Sequence, residues 1–288
     1  MCKNSRRHML LCLSLILAFM FVSCAGPVTL PADDVLTVTF IDVSKGDCIL
    51  LQKAETAILI DAGYDATAST VLYYLQSHGI EHLDYMIITH YDKDHVGGAA
   101  YLVNNLSVGK VLLPDYEPEN KYYDKLVDAL ETKNVPSQII DSNLSITLSE
   151  VEYTVFASTV QYTPGSDGKE GNDNDCSLVI SALYLDSSFL FTGDIEKAGI
   201  KAFLKTGPAQ YDVVKMPHHG AFVKNTEDLL NALQPSVAVI TDSNGEPAES
   251  DLLDMLSTLG TKVCRSSVNG NITLTTEGNG DYSITTEK

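Results

Sequence analysis

"YMIITHYDKDHVGG", Tyr85 to Gly98, opens on an apolar run, closes on paired glycines, and holds two histidines and two aspartates within six residues. The apolar run predicts a buried strand, so the polar cluster falls at a strand end. His90, Asp92, Asp94 and His95 offer the nitrogen and oxygen donors that zinc, manganese and iron ions accept. Their short spacing lets several reach one point from a tight loop, and four donors can feed two ions. Gly97 and Gly98 permit close backbone approach and a helix start beside the cluster. The competing reading is a solvated loop after a strand, and this string alone does not decide between them.

Upstream, "VLTVTFIDV", "CILLQK" and "AILIDAG" read as strands joined by the turns "SKGD" and "KAET", an antiparallel beginning. "FIDVSKGD" reads as structural, with Gly46 and Asp47 turning the chain between strands. "TASTVLYYLQSHGI" has helical spacing and stops at Gly79. His78 and His82 flank that helix end and read as solvated or capping. Downstream come strand "KVLLP", helix "NKYYDKLVDALETKN", strands "SQII", "LSITL" and "EYTVFAS", and the polar loop "TPGSDGKEGNDND". The second half repeats the style, with strands "CSLVISALYL", "SFLFTGD", "DVVKMP" and "SVAVIT" alternating with helices and "NITLTT" near the end. Two mixed halves predict an α/β fold in which a pair of sheets is sandwiched between helical layers. "THYDKDH", "NDNDCS", "FTGD" and "KMPHHG" all sit at strand ends. Converging on one rim, they would assemble a site from distant sequence.

The first segment, "MCKNSRRHMLLCLSLILAFMFVSCAG", carries Lys3, Arg6 and Arg7, an apolar run to Val22, and small residues around Cys24. It reads as a signal peptide over 1–23 followed by a tether over 24–34 and one domain over 35–288. The apolar run is shorter than the ~20 residues a bilayer core requires. The pattern also resembles a bacterial lipoprotein signal, in which Cys24 is lipidated, implying attachment to the outer face of the cell membrane or secretion. Cys48, Cys176 and Cys264 then remain, without CxxC spacing, and read as small buried residues. The net charge is −19, and loss of 1–23 removes three bases and no acids, leaving −22. No basic patch of the kind a nucleic-acid binder uses to displace counterions is evident.

With the later motifs in order, the sequence resembles the metallo-β-lactamase fold, and within it the ComEC-type competence proteins. "HYDKDH" is similar to the HxHxDH motif with aspartate at its third position. "FIDVSKGDCILL" is close to the "IDVGQGDS" signature, and "ILIDAG", "NDNDCSLVI", "FLFTGDIE" and "VVKMPHHG" follow in consistent order from about Leu36 to Thr276. The resemblance implies a four-layer αββα sandwich and two divalent ions, zinc or manganese. Asp94 and His95 would hold one ion, His90 and Asp92 the other, with Asp194 between them. His219 would complete the shell of the first ion and His218 would contact phosphate or donate a proton, the two being exchangeable on sequence. Asp61 and Thr89 would orient the ligands.

Two departures matter. Asp92 replaces a histidine, and the "NDNDCS" region lacks another that many members carry there, so Asn174, Asp175 or Ser177 would lean in instead. The implied activity is hydrolysis of phosphodiesters, DNA or a smaller ester, by a metal-activated water, with Asp94, Asp194 and His218 as catalytic groups. The rivals are an ester, lactone or β-lactam hydrolase of the same fold, and a surface lipoprotein that binds without turnover. This chain lacks the transmembrane channel that competence proteins carry.

Overall fold

The computed structural model describes residues 34–165 and 171–288. The signal segment, Cys24 and nearly all of the tether lie outside the described residues, so the sequence expectations for them stand apart from the structure. No helix among the described residues is long and apolar enough to cross a membrane.

The chain lays down β1 (Leu36–Phe40), β2 (Ile49–Lys53) and β3 (Thr56–Ile60) as an antiparallel meander, as the short turns require. Helix α1 (Ala68–Ser77) then crosses to β4 (His82–Ile87), α2 (Ala99–Asn105) to β5 (Ser107–Pro114), and α3 (Lys121–Lys133) to β6 (Ser137–Ile140), with all these strands parallel. A second sheet takes β7 (Leu144–Leu148), β8 (Val151–Phe156), β9 (Val179–Tyr184) and β10 (Ser187–Phe191) antiparallel. It continues in parallel through α4 (Lys197–Leu204), β11 (Val213–Lys215), α5 (Thr226–Leu233), β12 (Val237–Ile240), α6 (Ser250–Thr258) and β13 (Lys262–Arg265). After the short α7 (Ser266–Asn269), β14 (Ile272–Thr276) and β15 (Ser283–Thr286) return to the first sheet, where β14 pairs antiparallel with β1.

The two sheets, of eight and seven strands, pack face to face through one apolar cluster containing Phe40, Ile60 and Ile87 from the first and Ile180, Phe189 and Phe191 from the second. Each such side chain, fully buried, contributes about 1.5–3 kcal/mol. The outer face of the first sheet is covered by Leu75 of α1, Leu102 of α2 and Leu126 of α3, and that of the second by Phe203 of α4, Leu229 of α5 and Leu252 of α6. Strands buried on both faces explain why "ILLQK" and "TAILI" lack strict alternation. This is the αββα sandwich expected from the motif order. Cys48, Cys176 and Cys264 are free thiols in the interior.

The parallel blocks β3–β4–β5 and β10–β11–β12 present their C-terminal ends on one rim. Asp61 follows β3, His90 to His95 follow β4, Asp194 follows β10, His218 and His219 follow β11, and Thr241 follows β12. Short loops of this kind carry polar groups that the strands cannot bury. Gly98 starts α2 where an added Cβ would lie 2.3 Å from Ala62 O, so only glycine lets the two loops meet.

Candidate metal centre

His95 lies at the middle of the rim, fully buried. Its Nδ1 is 2.8 Å from Asp61 Oδ2, and its Nε2 faces inward, 3.2 Å from Asp194 Oδ2 and 3.3 Å from His219 Nε2. Asp61 accepts further bonds from Thr89 N (2.8 Å) and Thr89 Oγ1 (2.7 Å), which fix its carboxylate and through it the imidazole. His219 Nε2 sits 3.0 Å from Asp194 Oδ2 and 3.4 Å from Asp94 Oδ2, while its Nδ1 lies 3.1 Å from Thr241 Oγ1. Asp94, His95 and His219 thus converge on one point. Asp61 (φ 56°), His218 (φ 45°) and His219 (φ 54°) are all left-handed, a conformation that costs non-glycine residues about 1 kcal/mol or more and is retained where side-chain placement demands it.

Behind this cluster is a buried ion network. Lys215, at the end of β11, is fully enclosed and places Nζ 2.5 Å from Asp47 Oδ2, 3.1 Å from Asp194 Oδ1 and 2.9 Å from Gly193 O. Asp47 also accepts Thr241 Oγ1 at 2.6 Å. Asp194 therefore commits Oδ1 to the lysine and turns Oδ2 to the histidines. Burial alone would raise the Asp194 pKa, but His219, His95 and Lys215 overcome it and hold the carboxyl well below the usual range. Burial likewise opposes ionisation of Asp94, yet the hydrogen bond to His219 and the charge of His95 keep it low. For His95 burial disfavours the cation, whereas Asp194 and Asp61 outweigh it and raise its pKa well above normal. His219 moves upward for the same reason, with Asp194 the leading carboxylate.

The other side of Asp194 is different. His90 is fully buried, with Nδ1 3.1 Å from Thr89 Oγ1, but its Nε2 has no hydrogen-bond partner among the described residues. That nitrogen points toward Asp92 Oδ2 at 3.7 Å, and His90, His95 and Asp194 offer donor atoms to a common point. A buried imidazole nitrogen left unpaired is costly in water-free protein, and an ion among these donors would satisfy it. The residues present fit divalent metal. Facing Asp92 across the opening is Asp173, whose carboxyl is pushed up to about 6 by burial and by hydrogen-bond contact with Asp92. Asp92, Asp94 and Asp194 line an open cleft of about 620 Å³ with Lys45, Tyr64, Glu196 and His218 on its walls.

The sequence profile described as the Metallo-beta-lactamase superfamily matches residues 41–240, which span every one of these ligands. The chain belongs to the metallo-β-lactamase superfamily. It is 24% identical over 257 residues to ComE operon protein 3 of Bacillus subtilis, covering 82% of this chain and 32% of that protein. Recombination protein 2 of Haemophilus influenzae is 26% identical over 215 residues, or 72% of this chain and 24% of that one. The chain thus spans a third or less of the length of these curated relatives. Among solved structures, the metallo-β-lactamase fold protein YhfI from Bacillus subtilis superposes with a TM-score of 0.56 at 10% identity, covering 84% of this chain and all of that one.

Within this superfamily fold the protein brings together His90, Asp92, Asp94, His95, Asp194 and His219, with Asp61 and Thr89 beneath them. His219, not His218, is the histidine that turns inward; His218 lines the cleft, its Nδ1 2.8 Å from Glu196 Oε1. Each residue expected to lean in for the absent histidine has one group engaged, while Asn174 Oδ1 is buried without a hydrogen-bond partner among the described residues. Ser177 Oγ accepts from Asp194 N at 3.3 Å, and Asn174 Nδ2 donates to Glu196 at 3.3 Å. Asp175 Oδ1 accepts from the backbone of Glu196, Ala198 and Gly199 at the start of α4. Asp173, one position earlier, lines the opening together with Asn174 and Asp175. Asp47, Lys215 and Thr241 escaped sequence reading because each looks ordinary locally. The one signal was a lysine closing the apolar strand "DVVK" directly before "MPHHG", since an unpaired lysine is almost never fully buried.

Proposed function

We propose that this hydrolase cleaves phosphodiester bonds outside the cytoplasm, using two divalent ions, zinc or manganese, held on either side of Asp194. The observation that carries the reading is the donor set: one side rich in histidine, the other opened by Asp92 and His90 toward a wide cleft. His95, His219 and Asp94 would hold one ion, and His90 with Asp92 the other. Bound there, divalent ions supply Lewis acidity for a phosphoryl group and activate water at neutral pH.

The chain's own residues do the rest. Lys45, tethered to Glu246 at 2.8 Å on the cleft wall, is placed to meet a non-bridging phosphate oxygen. His218, braced by Glu196, is placed to hand a proton to the leaving alkoxide, since its ring borders the cleft rather than the buried centre. Lys215 keeps Asp194 anionic, and Asp61 and Thr89 hold the His95 ring still.

The likeness to Recombination protein 2 and to Competence protein ComA of Neisseria gonorrhoeae supports DNA as one substrate, and the charge of −19 supports a smaller ester or DNA delivered by another protein. The basic residues before the first apolar run, with Cys24 after it, support lipid anchoring at the outer membrane face. The test is turnover of bis-(p-nitrophenyl) phosphate and single-stranded DNA by the manganese- or zinc-loaded mature protein, beside Asp94→Ala and Asp194→Ala. Cleavage lost in both variants is expected. Hydrolysis of a lactone or β-lactam with no phosphodiester turnover would overturn the proposal, and inactivity on all of them would leave a binding lipoprotein.

A further inference from the structure

We infer that Asp47 and Thr241 form a hydroxyl relay that holds His219 with its proton on Nδ1 and its lone pair on Nε2, which makes both of them positioning residues for the first ion. Thr241 Oγ1 lies 2.6 Å from Asp47 Oδ1 and 3.1 Å from His219 Nδ1. Asp47 is paired through its other oxygen with Lys215 Nζ at 2.5 Å. A carboxylate held in this way can only accept, and a hydroxyl has a single hydrogen to give. Thr241 therefore donates to Asp47 and accepts from His219 Nδ1, so that Nε2 is the atom turned to Asp94 and Asp194. Asp47 and Thr241 are both buried, and water does not stand in for either bond.

The same proton count applies at Thr89. Its hydroxyl donates to Asp61 Oδ2 at 2.7 Å and so accepts from His90 Nδ1 at 3.1 Å. The bare nitrogen this leaves, His90 Nε2, is the buried one without a partner among the described residues. An imidazole binds metal through its unprotonated nitrogen, and the hydrogen bond made by the other nitrogen decides which one that is. The two relays differ in origin. Asp61, Thr89 and His90 all follow strands of the first sheet, whereas Asp47 follows β1 of the first sheet and Thr241 and His219 follow β12 and β11 of the second. The Asp47 relay thus crosses the sandwich. Its backbone is tied to the ligand loop as well, since Asp47 N donates to Asp94 O at 3.1 Å and Gly63 N donates to Asp47 O at 2.8 Å.

The inference rests on His219 serving as a ligand of the first ion, and the test reads the ring itself. In the full mature chain with isotope-labelled histidine, proton–nitrogen correlation spectra should show a His219 Nδ1–H protected from solvent exchange, with and without zinc. Thr241→Val, which removes the hydroxyl and keeps the shape, should lose that protection. It should also weaken the first ion about 10- to 100-fold in chelator competition, with the second held within a few-fold. Thr241→Ser should restore both readouts. Thr89→Val should weaken both ions, because Asp61 also holds His95. An unprotected Nδ1 in wild type, or wild-type affinity for the first ion in Thr241→Val, would overturn the inference. The wild-type signal needs no variant, so it still decides if Thr241→Val fails to fold. Fewer than two zinc ions in a wild type whose Nδ1–H stays protected would overturn the two-ion reading while supporting the relay.

Discussion

The two sides of Asp194 are built to different standards. Around His95 and His219, each Nδ1 is pinned, by Asp61 at 2.8 Å and by Thr241 at 3.1 Å, Thr89 fixes Asp61 in turn at 2.7 Å, and each Nε2 faces Asp194. Around His90 and Asp92, one nitrogen is unpartnered and the carboxylates face solvent in a cleft. The first half is pre-organised by protein alone, and the second is finished only when something binds. A pre-organised site gains affinity because little ordering remains to be done, so the first half should fill first and empty last.

The comparison breaks most severely at the residue both halves share. Asp194→Ala should remove the second ion, weaken the first, and cut kcat by about 10³-fold or more, several kcal/mol of charge stabilisation; metal analysis alongside initial rates checks it. Next comes Lys215→Met, which leaves Asp47 and Asp194 as buried anions without their cation. It should destabilise the metal-free protein by roughly 3–5 kcal/mol, read by thermal unfolding, with metal recovering part of the loss. If Lys215→Met unfolds at the wild-type temperature, the buried network is not a structural support.

Asp61→Asn should touch the pre-organised half alone. Affinity for the first ion is expected to fall about 10- to 100-fold, by chelator competition, while the second ion's affinity stays within a few-fold. The smallest effect is on pH. His95 and His219 have raised pKa values in the metal-free protein, so their charged forms add stability that is present below the unfolded value near 6.5 and is lost as pH rises through the folded one. Metal must displace those protons, and affinity should therefore keep climbing with pH above 6.5 rather than level off there. Calorimetry in buffers of different protonation enthalpy should show protons released on loading.

What was legible in the sequence was whatever its own segment contains. "THYDKDH", "TGD" and "PHHG" each hold donors and a strand end within a few residues, and the hydrophobic runs between them place those ends on one rim. The helix from Lys121 ends in a left-handed Asn134, and its span matches the pattern of "NKYYDKLVDALETKN". What stayed hidden was pairing across the sandwich. Asp47 belongs to the loop after β1, Lys215 to β11 and Thr241 to the loop after β12, and nothing local marks them as partners. "SKGD" was read as a turn, which it is, but its aspartate also closes an ion pair.

The seam between β1 and β14 has a consequence for how the molecule is made. β1 is made more than two hundred residues before its second neighbour, Ile272 to Thr276. Until that neighbour is made one edge of β1 lacks its mate, and an unpaired edge invites strands from other molecules. A chain stopped before Ile272 would hold every metal ligand and still present that open edge, so premature termination should yield aggregate rather than a smaller enzyme.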